Sequence, residues 1–218
     1  MDRIDRVIAR RYALALTAAS CVATLAGSSA HAGTGGDAAV SGPVKVLNDA
    51  LLAAMKSGDG GSFNGRYQAL EPVIARVFDL NAVLVSSIGL PWASIPIAQK
   101  AMLAAAFRRY TVSSYVANFN SYDGQSFEIL PDTRTVGNGE VVVPTRLIRR
   151  GKAPVELDYV VRSGSAGWQV VDVLTDGTIS RVAVQRSDFR ELLGSGGATA
   201  LAAGLERKVA NLSGGMRG

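Results

Sequence analysis

The chain has 218 residues, 48% of them hydrophobic, with 23 Lys and Arg against 18 Asp and Glu, a net charge of +5, one Cys and one His. The positive charge is mild and scattered; it builds no nucleic-acid footprint and gives only a weak pull toward an anionic membrane surface. Cys21 and His31 both lie in the first 32 residues. A chain cut after Ala32 therefore has neither, which excludes disulfides, thiolate nucleophiles, Ser-His-Asp triads and His/Cys zinc sites.

Arg3, Arg6, Arg10 and Arg11 form a basic head, an apolar run follows from Tyr12 to Gly27, and Ala30-His31-Ala32 is a small-x-small cleavage site. This order predicts a secretory signal peptide over residues 1–32, too short and wrongly flanked for a spanning anchor. Arg10-Arg11 is a poor twin-arginine match, and Ala18 stands where a lipoprotein site at Cys21 needs a larger aliphatic. What remains, residues 33–218, suits one domain with enough chain to bury a core.

Residues 33–42 are small and predict a flexible lead-in. Leu47, Leu51, Leu52 and Met55 recur at helical spacing and predict a helix from Val44 to about Lys56. A loop follows over residues 57–62. A second helix is expected from about Asn64 to Phe78, with Leu70, Ile74 and Val77 on one face and a kink or restart at Pro72. Asp79 caps a short third helix through Leu84 and Ile88. After the break at Gly89-Leu90-Pro91-Trp92, Ser94 opens a long helix that tolerates Pro96 in its first turn. That helix carries Met102, Leu103, Phe107, Tyr110, Tyr115 and Phe119.

Beyond Asn120 the period changes to two. Phe127 and Ile129 alternate with polar residues, and Val136-Gly137-Asn138-Gly139 is a turn signal. Val141 to Arg149 predicts a strand that Pro144 marks as an edge or a bulge. Val155, Leu157, Tyr159 and Val161 line one face of a third strand, and Trp168 to Leu174 forms a fourth. Short turns between these runs imply an antiparallel meander. Thr178 caps a helix carrying Ile179, Val182, Ala183, Phe189 and Leu193. Gly194 to Gly197 breaks it, and a last helix presents Leu201, Leu205, Val209 and Leu212. The domain spans residues 43–212, with a frayed tail at 213–218. The fold class is α+β: N-terminal helices, a four-stranded antiparallel curved sheet and C-terminal helices. Such a sheet can enclose a cavity, but the pattern alone does not separate a cavity from a filled core.

Asp158-Tyr159, Gly167-Trp168-Gln169-Val170-Val171-Asp172-Val173, Asp176-Gly177-Thr178-Ile179-Ser180 and Arg186-Ser187-Asp188-Phe189 resemble the MlaC family, also called toluene-tolerance or auxiliary transport proteins. Phe78-Asp79, Trp92, the helix from Gln99 to Tyr110 and Tyr115 stand in the family's order. Thr178-Ile179-Ser180 and the run from Val184 to Phe189 are most similar to its hopanoid-associated HpnM branch. The resemblance implies an NTF2-like cone with a deep apolar pocket. It also implies a periplasmic, non-enzymatic carrier, without cofactor or metal, that takes hopanoid or phospholipid between inner and outer membranes. The implied partner is a membrane-bound lipid transport complex.

A lipid tail offers no hydrogen bonds, so its carrier must supply apolar wall, gaining about 25 cal/mol per Å² buried. The candidate lipid contacts are Val155, Leu157, Tyr159 and Val161 on the strand, Leu103, Phe107 and Tyr115 on the long helix, and Val182 and Phe189 on the penultimate one. Alternation puts Trp168, Val170 and Asp172 on one side, where Trp168 reads as a packing anchor and Asp172 needs a partner. Arg186, seven residues after Ile179, is expected on the same helical face. It either pairs with Asp172 or Asp176 or meets an anionic headgroup. Two other readings stand beside the carrier: an isomerase or hydrolase using Tyr159 or Asp172 as base, and a module that binds a peptide or partner helix.

Overall fold

The computed structural model describes residues 34–57 and 61–214. The expected signal peptide, Gly33 and residues 215–218 of the expected tail lie outside them. Among the described residues, five helices and seven strands follow in the expected order.

Helix α1, Thr34–Lys56, begins inside the stretch expected to be a flexible lead-in. Ala38 and Ala39 are good helix formers, Asp37 sits where the helix dipole favours an acid, and Val40 already packs against the core. Val44, Leu47, Leu51 and Met55 then form a fully buried stripe. Helix α2, Phe63–Val77, starts at Ser62, whose hydroxyl accepts the Gly65 N–H at 3.0 Å. Pro72 does not interrupt it. Pro72 and Gln68 are both exposed, so water can satisfy the carbonyl that the proline leaves without an N–H. Asp79 caps α3, Leu80–Ile88, by accepting the Ala82 N–H at 2.8 Å. A 3₁₀ turn, Leu90–Ser94, leads to α4, Ile97–Asn118. Its N-cap position falls at Pro96 rather than Ser94.

The antiparallel sheet has seven strands where four were expected: β1 Ser126–Ile129, β2 Arg134–Thr135, β3 Glu140–Val143, β4 Thr145–Arg149, β5 Lys152–Gly164, β6 Gly167–Thr175 and β7 Ile179–Ser180. The surplus comes from division. Pro144 splits the expected second strand into β3 and β4, which pair with the two halves of the long β5. β2 pairs with β3 and β1 with β4, so each lengthens the same flank, and β7 adds a two-residue edge to β6. The Asp158 carboxylate on β5 accepts the Thr145 N–H at 3.4 Å beside the proline.

β5 and β6 form the central hairpin. Their register shifts between Val160 and Val161, so Val161 faces Val170 while Tyr159 faces Val173. This bulge inserts Val171, so Asp172 pairs with Val160 while its side chain still reaches the inner side at the start of the last helix.

Helix α5, Arg181–Gly214, breaks at Gly196 and Gly197, within the glycine run expected to end it. Gly197, at φ 63° and ψ −153°, adopts a conformation essentially reserved for glycine. The two arms then cross so closely that a Cβ on Gly204 would lie 2.7 Å from Leu192 Cδ1. The helix opens at Ser180 rather than Thr178, since the Ser180 hydroxyl accepts the Ala183 N–H at 3.0 Å.

The buried residues fall into separate groups. One lies between the sheet and α1, α2 and the second half of α4. Another joins α3, the first half of α4 and both arms of α5. A small cluster of Val142, Val160 and Val171 occupies the other face of the sheet. No helix among the described residues is long and apolar enough to cross a membrane.

Candidate functional site

The two larger groups do not close completely. Between them lies a cavity of about 140 Å³. Leu147, Val155, Leu157, Tyr159 and Val173 form its floor, all from the concave face of the sheet. Phe107, Tyr110, Thr111, Ser114, Tyr115, Asn118 and Phe119 form its roof, at the spacing of one face of α4. Phe78, Leu80 and Val83 close one side, and Asp172, Thr175, Arg181 and Gln185 line the rest. The wall is mostly apolar with a few placed polar groups, as ligand pockets usually are.

An aromatic chain builds part of the wall. The Phe78 and Tyr115 rings are 5.7 Å apart, Tyr115 stacks on Phe119 at 5.9 Å, and Phe119 meets Phe127 at 6.0 Å. Burial pushes the Tyr115 hydroxyl far above the ordinary tyrosine value, with the Arg181 charge opposing. Burial does the same to Tyr159, and the neighbouring Tyr115 adds to it. Both phenols therefore stay protonated at neutral pH, the wrong state for a general base.

Asp172 is committed to the start of α5. Its Oδ1 accepts the N–H groups of Val173 at 2.7 Å and Val182 at 3.0 Å, and its Oδ2 accepts the Ser180 hydroxyl. Ser87 and Gln185 side chains, hydrogen-bonded at 2.9 Å, tie α3 to α5. Among the described residues no group of three His, Cys, Asp or Glu could hold a metal.

The structure brings Phe107, Tyr115, Val155, Leu157 and Tyr159 to the cavity wall. It places four other candidate contacts elsewhere. Leu103, Val182 and Phe189 are buried among the helices, where Phe189 meets Phe107 edge to face at 6.2 Å. Val161 shares the concave face but lies deep in the sheet core, against Val170. The Arg186 pairing is also overturned. Arg186 is exposed, and its Nε and Nη2 donate to the Ser86 carbonyl at 3.0 and 2.6 Å. Ser86 lies in the last turn of α3, where carbonyls lack helical partners. Asp176 neither lines the cavity nor touches Arg186. The seven-residue spacing misled because Ile179 belongs to β7 and the helix begins only at Arg181.

Arg181, Asn118, Thr111 and Leu147 escaped the sequence reading. Helical spacing from Tyr115 points to Thr111 and Asn118; Arg181 carried no such signal.

A hydrophobic cavity with a few polar groups, enclosed by a curled sheet and a helical layer, defines a binding protein for an apolar small molecule. The sequence model of MlaC proteins matches residues 45–207, and the chain belongs to the MlaC family. A phospholipid-binding protein from Ralstonia solanacearum, solved in complex with a phospholipid, has a similar fold, with a TM-score of 0.68 and 23% identity. The match covers 80% of this chain and 98% of that one. Neither comparison distinguishes the HpnM branch.

Proposed function

We propose that this protein is a periplasmic lipid carrier, exported by the signal peptide at residues 1–32, that holds the apolar part of a phospholipid or hopanoid between sheet and helices. It would exchange that cargo with a membrane-bound transport complex as lipid moves between inner and outer membranes. The supporting observation is the cavity, whose floor is Leu147, Val155, Leu157 and Val173 and whose roof carries Phe107 and Phe119. Water on such walls makes few hydrogen bonds, so a hydrocarbon chain displaces it favourably, by about 25 cal/mol per Å² of apolar surface covered. Membership of the MlaC family and a relative of the same fold with phospholipid bound point the same way.

About 140 Å³ is close to the roughly 150 Å³ of an engineered cavity that holds one benzene. A full acyl chain or a fused ring system is larger, so a loaded protein must widen this space or leave part of its cargo outside it. The Asp172 carboxylate is engaged by three hydrogen bonds and the Tyr159 hydroxyl stays protonated, which favours a carrier over an enzyme that uses either as base.

The test is organic-solvent extraction of the purified protein with mass spectrometry of the extract. Stoichiometric lipid supports the carrier, and its head and ring chemistry separates phospholipid from hopanoid. A protein that comes out empty and takes up no lipid from vesicles refutes it.

A further inference from the structure

The cavity carries one feature that a tail-binding slot does not require. Arg181 lines it, is half-buried, and has neither a hydrogen bond nor an ion pair among the described residues. Arg108 is engaged by Glu71, Arg109 by Glu206 and Arg186 by the Ser86 carbonyl, while Arg76, Arg190 and Arg207, which make no ion pair among the described residues, are exposed and lie off the cavity. Two further polar groups on the same wall lack partners. The Tyr115 hydroxyl, on which the Arg181 charge acts, and the Asn118 amide stand three residues apart on one face of α4 and make no hydrogen bond. Asp172 lines the cavity too, but three hydrogen bonds from Val173, Val182 and Ser180 already engage its carboxylate, and it does not pair with Arg181. The first amides of α5 are likewise used, Val182 N–H by Asp172 and Ala183 N–H by Ser180. What remains is a guanidinium with neighbouring donors, unanswered, above an apolar floor.

The Thr111 hydroxyl on the same wall is buried without a partner, while Arg181, Tyr115 and Asn118 are half-buried and keep part of their hydration, which the oxygens of an anionic group can replace. A guanidinium presents a planar fork that fits two oxygens of a phosphate or carboxylate. We infer that Arg181, with the Tyr115 hydroxyl and the Asn118 amide, binds the anionic oxygen group of an amphiphile whose chain lies against Val155, Leu157 and Val173. This rests on the carrier reading and narrows it: the ligand is a chain with a phosphodiester or a carboxylate, and a neutral polycyclic lipid leaves the arginine unanswered.

The experiment uses delipidated protein and three probes with matched acyl chains: phosphatidylglycerol, the free fatty acid and uncharged diacylglycerol. Affinities are compared for the wild type, Arg181→Met, Arg181→Gln and Arg181→Lys, with thermal unfolding as a folding control. The wild type is expected to prefer an anionic probe over diacylglycerol by roughly tenfold or more, the range of a charge-assisted hydrogen bond. Arg181→Met and Arg181→Gln remove that preference while diacylglycerol binding stays, and Arg181→Lys retains part of it. A preference confined to phosphatidylglycerol assigns the site to a lipid phosphate; one confined to the fatty acid assigns it to a carboxylate. Equal losses for all three probes, or no loss for any, overturn the inference, as does a wild type that binds diacylglycerol as tightly as the anionic probes. A wild type that binds none of the three overturns the inference too, and the solvent extraction described above then decides the carrier reading separately.

Discussion

Val155→Phe distinguishes a hollow interior from a filled one by the sign of its effect. Val155 is 5% exposed, pairs with Leu147 across β4 and β5, and stands on the cavity floor. The substitution adds four carbons. The space beside it, about 140 Å³, is close to one that accommodates a benzene, so the ring has somewhere to go. At about 0.8 kcal/mol per buried methylene the added carbons gain up to ~3 kcal/mol. Holding the ring in one rotamer costs about 1 kcal/mol. The lipid-free variant should thus gain roughly 2 kcal/mol, a rise of about 4–8 °C in Tm for a chain of this size. The lipid should be lost at the same time, because the phenyl ring occupies its place. In an interior without a cavity the same ring overpacks and costs about 1–3 kcal/mol. The assay is thermal unfolding of delipidated protein beside mass spectrometry of lipid carried through purification. A Tm several degrees lower, with the lipid load unchanged, refutes the reasoning.

Arg186→Ala should leave the lipid load unchanged and lower stability by about 0.5–1.5 kcal/mol, through the lost donors to the Ser86 carbonyl. Normal stability with lost lipid in that variant would return Arg186 to the ligand. Burial raises the Asp158 carboxyl above its ordinary value, with the Thr145 N–H and Arg134 opposing. The native state therefore holds this proton more tightly than the unfolded chain. The benefit is full below an unfolded pKa of about 3.9 and fades as pH rises through the raised native value. Asp158→Asn keeps an acceptor for Thr145 and should raise Tm at neutral pH, with the gain closing toward about pH 4. A variant less stable than the parent at pH 7, measured by the same melts, contradicts that sign.

Long periodic stripes were the most legible part of the chain. Val44 to Met55, Leu70 to Val77, and the inward set Val155, Leu157, Tyr159 and Val161 needed only spacing. Division of the apolar residues between a cavity wall and a solid core was not legible. Phe107 lines the space, while Leu103, one turn earlier on α4, is sealed among the helices. Both are apolar residues on a buried face, and only the position of α5 separates them. The bulge in β6 escaped for another reason: an extra residue reverses a strand's alternation without altering its composition. Arg181 and Arg186 illustrate the same limit for charge. Each is an arginine on the first turns of one helix, and the carbonyl that holds Arg186 lies 100 residues away in sequence.

The glycine pair in α5 bears on how the C-terminal arm can be handled. Beyond it, Leu201, Ala202 and Leu205 seal the same helical group as Leu103, Phe107 and Phe189, and the arms touch where Gly204 meets Leu192, whose side chain would have to shift for any larger residue there. The arm thus serves as a bung for the helical half and cannot be trimmed as a dispensable end. Shortening the chain at residue 196 would strip the cover from an oily surface on the side away from the sheet, giving aggregation that could be mistaken for loss of ligand. Fusion partners belong after the last helical turn, where they leave that seal intact.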